Sequence, residues 1–216
     1  MTSRWETSRT EAFSDGVFAI AITLLVLDLT VPSKELNHLA HGILHQWPAY
    51  LGYLTSFVTI GGLWLAHHGI FRRLQFVDSR VMRINLLLLL VVSFLPFPTR
   101  LMAESIRDFD AERTAVIFYG LALTVVSFTV SALWAAVIRD RALLKPEVDE
   151  REVKAVTLAS APNVGLHLAA TALAIPAPRA AAFVYLGIAV VAVFRARPDT
   201  TSEAADGGND ASMLRP

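Results

Sequence analysis

The sequence predicts an all-α membrane protein with six transmembrane helices. Three observations carry this. The chain of 216 residues is 54% hydrophobic. Only 18% of it is charged, against about a quarter in a soluble domain. Those charges collect between long uncharged runs, each close to the roughly 20 apolar residues that cross a bilayer.

The first predicted span covers about 13–31 and stops at Pro32. A polar connector rich in His follows at 34–45. The second span covers about 46–71 and ends on Arg72 and Arg73. The third is short, about 84–98, because Pro96 and Pro98 close it. A charged connector at 100–113 leads to the fourth span, about 114–138. A highly charged loop at 139–154 precedes the fifth, about 155–175, which contains Pro162. Pro176-Ala177-Pro178 makes a tight turn into the sixth, about 180–194. The chain therefore divides into an N-terminal segment (1–12), a membrane domain (13–197) and an acidic tail (198–216). The tail has too little apolar content to pack and reads as disordered.

The basic start followed by an apolar run resembles a signal peptide. Glu6, Glu11 and Asp15 interrupt it, however, and Thr30-Val31-Pro32 is a poor cleavage site. It reads as a retained first span. With both ends on one side, that side carries fourteen Lys and Arg and the other five. Positive charge marks the cytoplasmic face, so both termini are expected inside. A formal net charge of zero gives no electrostatic case for nucleic acid. No cysteine is present, which excludes disulfides, thiolate metal sites and a cysteine nucleophile. No Ser/His/Asp set, phosphate-binding glycine loop or carboxylate pair stands out, so an enzyme is not expected.

The first span carries the informative pattern. At 100° per residue, Phe13, Gly16, Thr23, Leu24 and Leu27 fall within about 60° of Ile20. Ser14 and Asp15 fall about 120° and 140° away, beside Phe18, Ile22 and Leu25. A carboxylate at that depth needs partners. If one stripe faces a pore or symmetry axis, the other faces neighbouring helices, and Asp15 is then a tether rather than an ion ligand. Trp64, His67 and His68 near the end of the second span lie at similar depth and offer N–H donors. Arg9 is a further candidate partner. Adjacent histidines point about 100° apart on a helix, so a shared metal ion is disfavoured against hydrogen bonding or a proton relay. Asn85 reads as another interhelical bond. Thr124, Ser127, Thr129 and Ser131 can bond back to their own helix. Asn163 and His167 can satisfy backbone groups freed by Pro162. Thr23 has the option of bonding the Ala19 carbonyl. No Thr-Val-Gly-Tyr-Gly filter loop is present.

The run from Arg9 through Phe13-Ser14-Asp15, continued by Gly16 to Leu25, resembles the transmembrane protein 175 family of potassium channels in its single-repeat bacterial form. Trp64-x-x-His67-His68, Asn85 and Phe94-Leu95-Pro96-Phe97-Pro98-Thr99 are similar to that family's second and third helices. The resemblance covers roughly Arg9 to Arg100. It implies a homotetramer in the lipid bilayer, with the four first helices lining a central pore. It implies a constriction of apolar side chains, with Ile20 narrowest, Leu24 and Leu27 further out, and a Thr23 hydroxyl ring beside it. Arg9, Phe13, Ser14 and Asp15 would bind the first helix to the others through Trp64, His67 and Asn85. For Arg9 and Phe13 this role comes from the resemblance alone, since the wheel places both on the Ile20 stripe. No metal or organic cofactor is implied; the permeant ion is K+, with other monovalent cations. The bacterial-type length implies the plasma membrane. A proton-coupled transporter relaying through Asp15 and His67, and a non-conducting scaffold, are the competing readings.

Overall fold

The computed structural model describes residues 5–30, 39–105, 109–160 and 162–195. Pro32 and the acidic tail at 198–216 lie outside them. The first helix begins where a strand stops. Strand β1 (Trp5–Glu6) pairs antiparallel with β2 (Phe76–Val77), Trp5 opposite Val77. Helix α1 (Thr7–Leu24) starts directly after Glu6, which makes no side-chain cap. The strand pairing holds the entry of this helix in place of a cap. Thus α1 begins inside the segment 1–12. A 3-10 turn, Leu25–Asp28, closes it.

The connector at 34–45 contains a short helix, α2 (Leu39–His45). Helix α3 (Trp47–Arg72) opens with Pro48 in its first turn, where a missing N–H costs nothing. Asp78 caps α4 (Ser79–Phe94), accepting from the backbone N–H of Arg80 and Val81 at 3.1 and 2.8 Å. The third span does not end at its prolines. Pro96 opens a new helix, α5 (Pro96–Ser105), since proline tolerates the first helical turn. The two together form one apolar stretch, Ser79–Ser105. The expected connector at 100–113 is accordingly helical at both described ends, because α6 (Phe109–Arg139) already runs from Phe109. The charged loop after α6 is ordered by a 3-10 turn, Arg141–Leu143, and by Asp149 accepting from Glu152 N–H at 2.7 Å. The fifth span is split into α7 (Glu150–Ser160) and α8 (Pro162–Leu173). Helix α9 (Pro178–Arg195) completes the bundle. Six stretches of the described residues are long and apolar enough to cross a membrane.

Helix α6 is the hub. It packs on α3, α4, α5, α8 and α9, and buries Tyr119, Leu123, Val126 and Leu133. Helix α1 packs mainly on α3 and α4, at the edge of the bundle. One side of it therefore has no neighbouring helix among the described residues.

Candidate functional site

The packing of α1 sorts its residues by face. Thr10, Ser14, Phe18, Ala21 and Leu25 are buried, spaced three or four apart. Phe18 is 1% exposed and Ser14 fully buried. On the other side Phe13, Ile20, Thr23, Leu24 and Leu27 are exposed, Ile20 at 61% and Leu27 at 68%. Thr23 Oγ1 donates to the Ile20 carbonyl at 2.9 Å, one residue short of the expected Ala19. The tightening into the 3-10 turn begins two residues later.

The buried side is held by two layers of polar contacts. In the first, Trp64 Nε1 donates to Asp15 Oδ1 at 2.8 Å. One helical turn toward the N-terminus, Glu11 Oε1 lies 2.9 Å from His68 Nδ1, outside hydrogen-bond geometry. Trp64 stacks on His68, ring centroids 5.6 Å apart. Glu11 and Asp15 are thus matched by Trp64 and His68, each pair at i, i+4 on its own helix.

The second layer is deeper. Ser14 Oγ donates to the Thr10 carbonyl at 2.8 Å and accepts from Asn85 Nδ2 at 3.0 Å. Asn85 Oδ1 lies 2.8 Å from His67 Nε2. An amide oxygen can only accept, so His67 carries its proton on Nε2. His67 sits between Phe18 and Phe71, with ring centroids at 5.4 and 4.3 Å. Its Nδ1 is buried without a hydrogen-bond partner among the described residues. Ser14, Asn85 and His67 tie α1, α4 and α3 together at one point.

The structure redistributes the partners expected for Asp15. Trp64 reaches it; His67 bonds Asn85 instead, and His68 faces Glu11. The 100° between adjacent residues sends the two histidines to different helices. Arg9 does not approach Asp15: it is exposed and forms no hydrogen bond or ion pair among the described residues. Phe13 is likewise exposed. Both share the exposed side with Ile20, as the ideal wheel has it. Glu11 went unassigned in the sequence, although its i, i+4 spacing from Asp15 was a usable signal. No cluster of three or more metal-ligating side chains occurs among the described residues.

The other polar residues behave locally. Thr124 and Ser131 donate to the carbonyls of Gly120 and Ser127, at 2.8 and 3.0 Å, and Thr129 to that of Val126 at 2.8 Å. Ser127 instead meets His167 Nδ1 at 3.0 Å, joining α6 to α8. His167 Nδ1 also lies 2.8 Å from the Asn163 carbonyl just after Pro162.

Fold and site together define a six-span helical membrane protein. Its first helix is anchored on one face and uncovered on the other. A family model described as "Endosomal/lysosomal potassium channel TMEM175" matches residues 9–96. That range holds α1 from Arg9 onward and every residue of the anchor. A protein of Streptomyces collinus named a potassium channel is 42% identical, over 71% of this chain and 75% of its own length. One of Chamaesiphon minutus, also named a potassium channel, is 42% identical over 78% of this chain and 84% of its own. The crystal structure of a lysosomal potassium-selective channel TMEM175 homolog from Chamaesiphon minutus superimposes with a TM-score of 0.80, at 36% identity. It covers 89% of this chain and 98% of that one. The chain belongs to the TMEM175 family. Its relatives are named for a channel activity, not an enzymatic one.

Proposed function

We propose that this chain is a potassium-permeable cation channel, formed by four copies around the uncovered face of α1. The observation that carries the reading is the split of α1 by exposure. An apolar stripe of Phe13, Ile20, Leu24 and Leu27 lies bare, while the polar residues Ser14 and Asp15 are turned inward and bonded. A lipid-facing helix has no use for so firm an anchor at a single rotational setting. A pore-lining helix does, because its rotation sets which side chains meet the ion.

In this reading Ile20 forms the narrowest ring, with Leu24 and Leu27 beyond it and Thr23 adding hydroxyls beside it. The Thr23 hydroxyl proton is given to Ile20 O, leaving the hydroxyl oxygen's acceptor side for a cation. An apolar collar excludes water and opposes a bare ion, so conduction requires the α1 helices to move apart. No carbonyl cage replaces the ion's hydration shell at the collar, so selectivity comes from the collar and the Thr23 layer. Ser14, Asp15, Trp64, His67 and Asn85 hold each α1 to its own subunit. Arg9 and Phe13, bare within one chain, act across subunits. Both termini are cytoplasmic, in a plasma membrane, with 13–197 as the channel domain and 198–216 as a tail outside it.

The test is purified protein in planar bilayers under opposed potassium and sodium gradients. A reversal potential displaced toward that of potassium supports the reading. No current at any voltage, with an intact oligomer by mass, leaves the scaffold reading standing. Flux that saturates and follows an imposed proton gradient overturns it in favour of a transporter.

A further inference from the structure

Helix α2 carries a histidine pair that the channel reading does not use. His41 and His45 stand at i and i+4, on the same side of the helix. Both are exposed. Their ring centroids are 5.5 Å apart and their planes 20° from parallel. Neither ring makes a hydrogen bond or ion pair among the described residues. The buried face of α2 is marked by Gly42, so neither ring is needed to pack the helix.

We propose that His41 and His45 form a two-histidine chelate for a first-row divalent transition metal, of which zinc is the type. Imidazole nitrogen suits zinc, nickel and copper and is a poor ligand for magnesium or calcium. Two histidines one turn apart are the helical half of a common zinc motif. Zinc–nitrogen bonds of about 2.1 Å at a tetrahedral angle need the two nitrogens about 3.4 Å apart. Exposed rings, stacked side by side and free of other partners, reach that spacing by rotating about their own side-chain bonds. The backbone of α2 need not move. No third ligand is gathered among the described residues, and in this proposal water completes the shell. The ion is therefore exchangeable, unlike a closed structural zinc.

The position gives the site a consequence. Helix α2 lies between the first and second spans, at the opposite end of α1 from β1. A bound ion clamps one turn of α2 and stabilises whichever conformation presents both rings together. The binding step itself stands independently of the channel reading.

The experiment titrates zinc chloride into the full-length protein in lipid nanodiscs by calorimetry, with magnesium chloride as a parallel arm. One saturable zinc site per chain is expected, and no magnesium site. His41→Ala and His45→Ala should each weaken zinc binding at least tenfold. Both variants should keep the metal-free melting temperature, because both side chains are exposed. Zinc affinity unchanged in the His41→Ala/His45→Ala double variant overturns the proposal. So does the absence of saturable zinc binding by the wild-type protein.

Discussion

Trp64 and Asp15, 49 positions apart in the chain, meet at 2.8 Å through the indole N–H. With the Ser14–Asn85–His67 contacts, this bond sets the rotation of α1 against α3. A carboxylate within a membrane span is costly unless a donor answers it. Replacing Trp64 with Phe keeps the ring but removes the donor; replacing Asp15 with Ala removes the acceptor. Each should lower stability, by on the order of 1–2 kcal/mol. In the Asp15→Ala/Trp64→Phe double variant the loss should be clearly less than the sum, since both delete the same bond. Thermal unfolding in detergent reads this cycle. Strict additivity means the bond does not contribute.

Asn85 should matter more than either of its partners. It is fully buried and serves Ser14 and His67 at once. Asn85→Ala leaves the His67 Nε2–H without its acceptor and Ser14 without its donor. An unsatisfied buried polar group costs about 1–3 kcal/mol. Ser14→Ala strands only the Asn85 amide, so Asn85→Ala should unfold at the lower temperature of the two. The reverse order would mean that the three helices are not joined through Asn85.

The split of α1 was legible in the sequence because helical periodicity is fixed by the backbone. No tertiary knowledge is needed to place Ser14 opposite Ile20. The partners of Asp15 were legible only as a set. Which of Trp64, His67 and His68 reaches it depends on how α3 is rotated and crossed, and one helix does not encode that. Pro96 misled in the usual way. A proline reads as a stop, yet it can also open the next helix, and only the turn before it decides. The pairing of Trp5–Glu6 with Phe76–Val77 left no trace, since two residues cannot display an alternating pattern. The neighbouring segment is locked from its other side, where Gln75 N–H donates to the Leu143 carbonyl at 2.9 Å and Gln75 Nε2 to that of Leu144 at 2.9 Å.

Gly120 is required by a close approach within the hub. A Cβ built there would collide with Tyr185 Oη and Thr171 Oγ1, which bond each other at 3.2 Å. Gly120→Ala must push Tyr185 aside and break that bond. Overpacking of this kind costs about 1–3 kcal/mol. Adding Tyr185→Phe removes the colliding hydroxyl, so the double variant should recover part of the lost melting temperature. No recovery would place the strain on Thr171 or on the α6 backbone.

Ile20 and Phe18 lie on the same turn of α1 and should fail in different ways. Phe18 is 1% exposed and packs on His67. Phe18→Ala opens a cavity between α1 and α3. Lipid and protein interior are similarly apolar, so the loss is of packing rather than transfer, on the order of 1–3 kcal/mol. Ile20 touches little within its own chain, so Ile20→Ala should leave the melting temperature of an isolated subunit nearly unchanged. In bilayers the order reverses. Ile20→Ala widens the proposed collar and should raise basal current and weaken potassium over sodium preference. Phe18→Ala should alter conduction only as far as it loosens the anchor. Should Ile20→Ala leave current and reversal potential as in the wild type, the collar does not lie at Ile20, whatever the oligomer's stability.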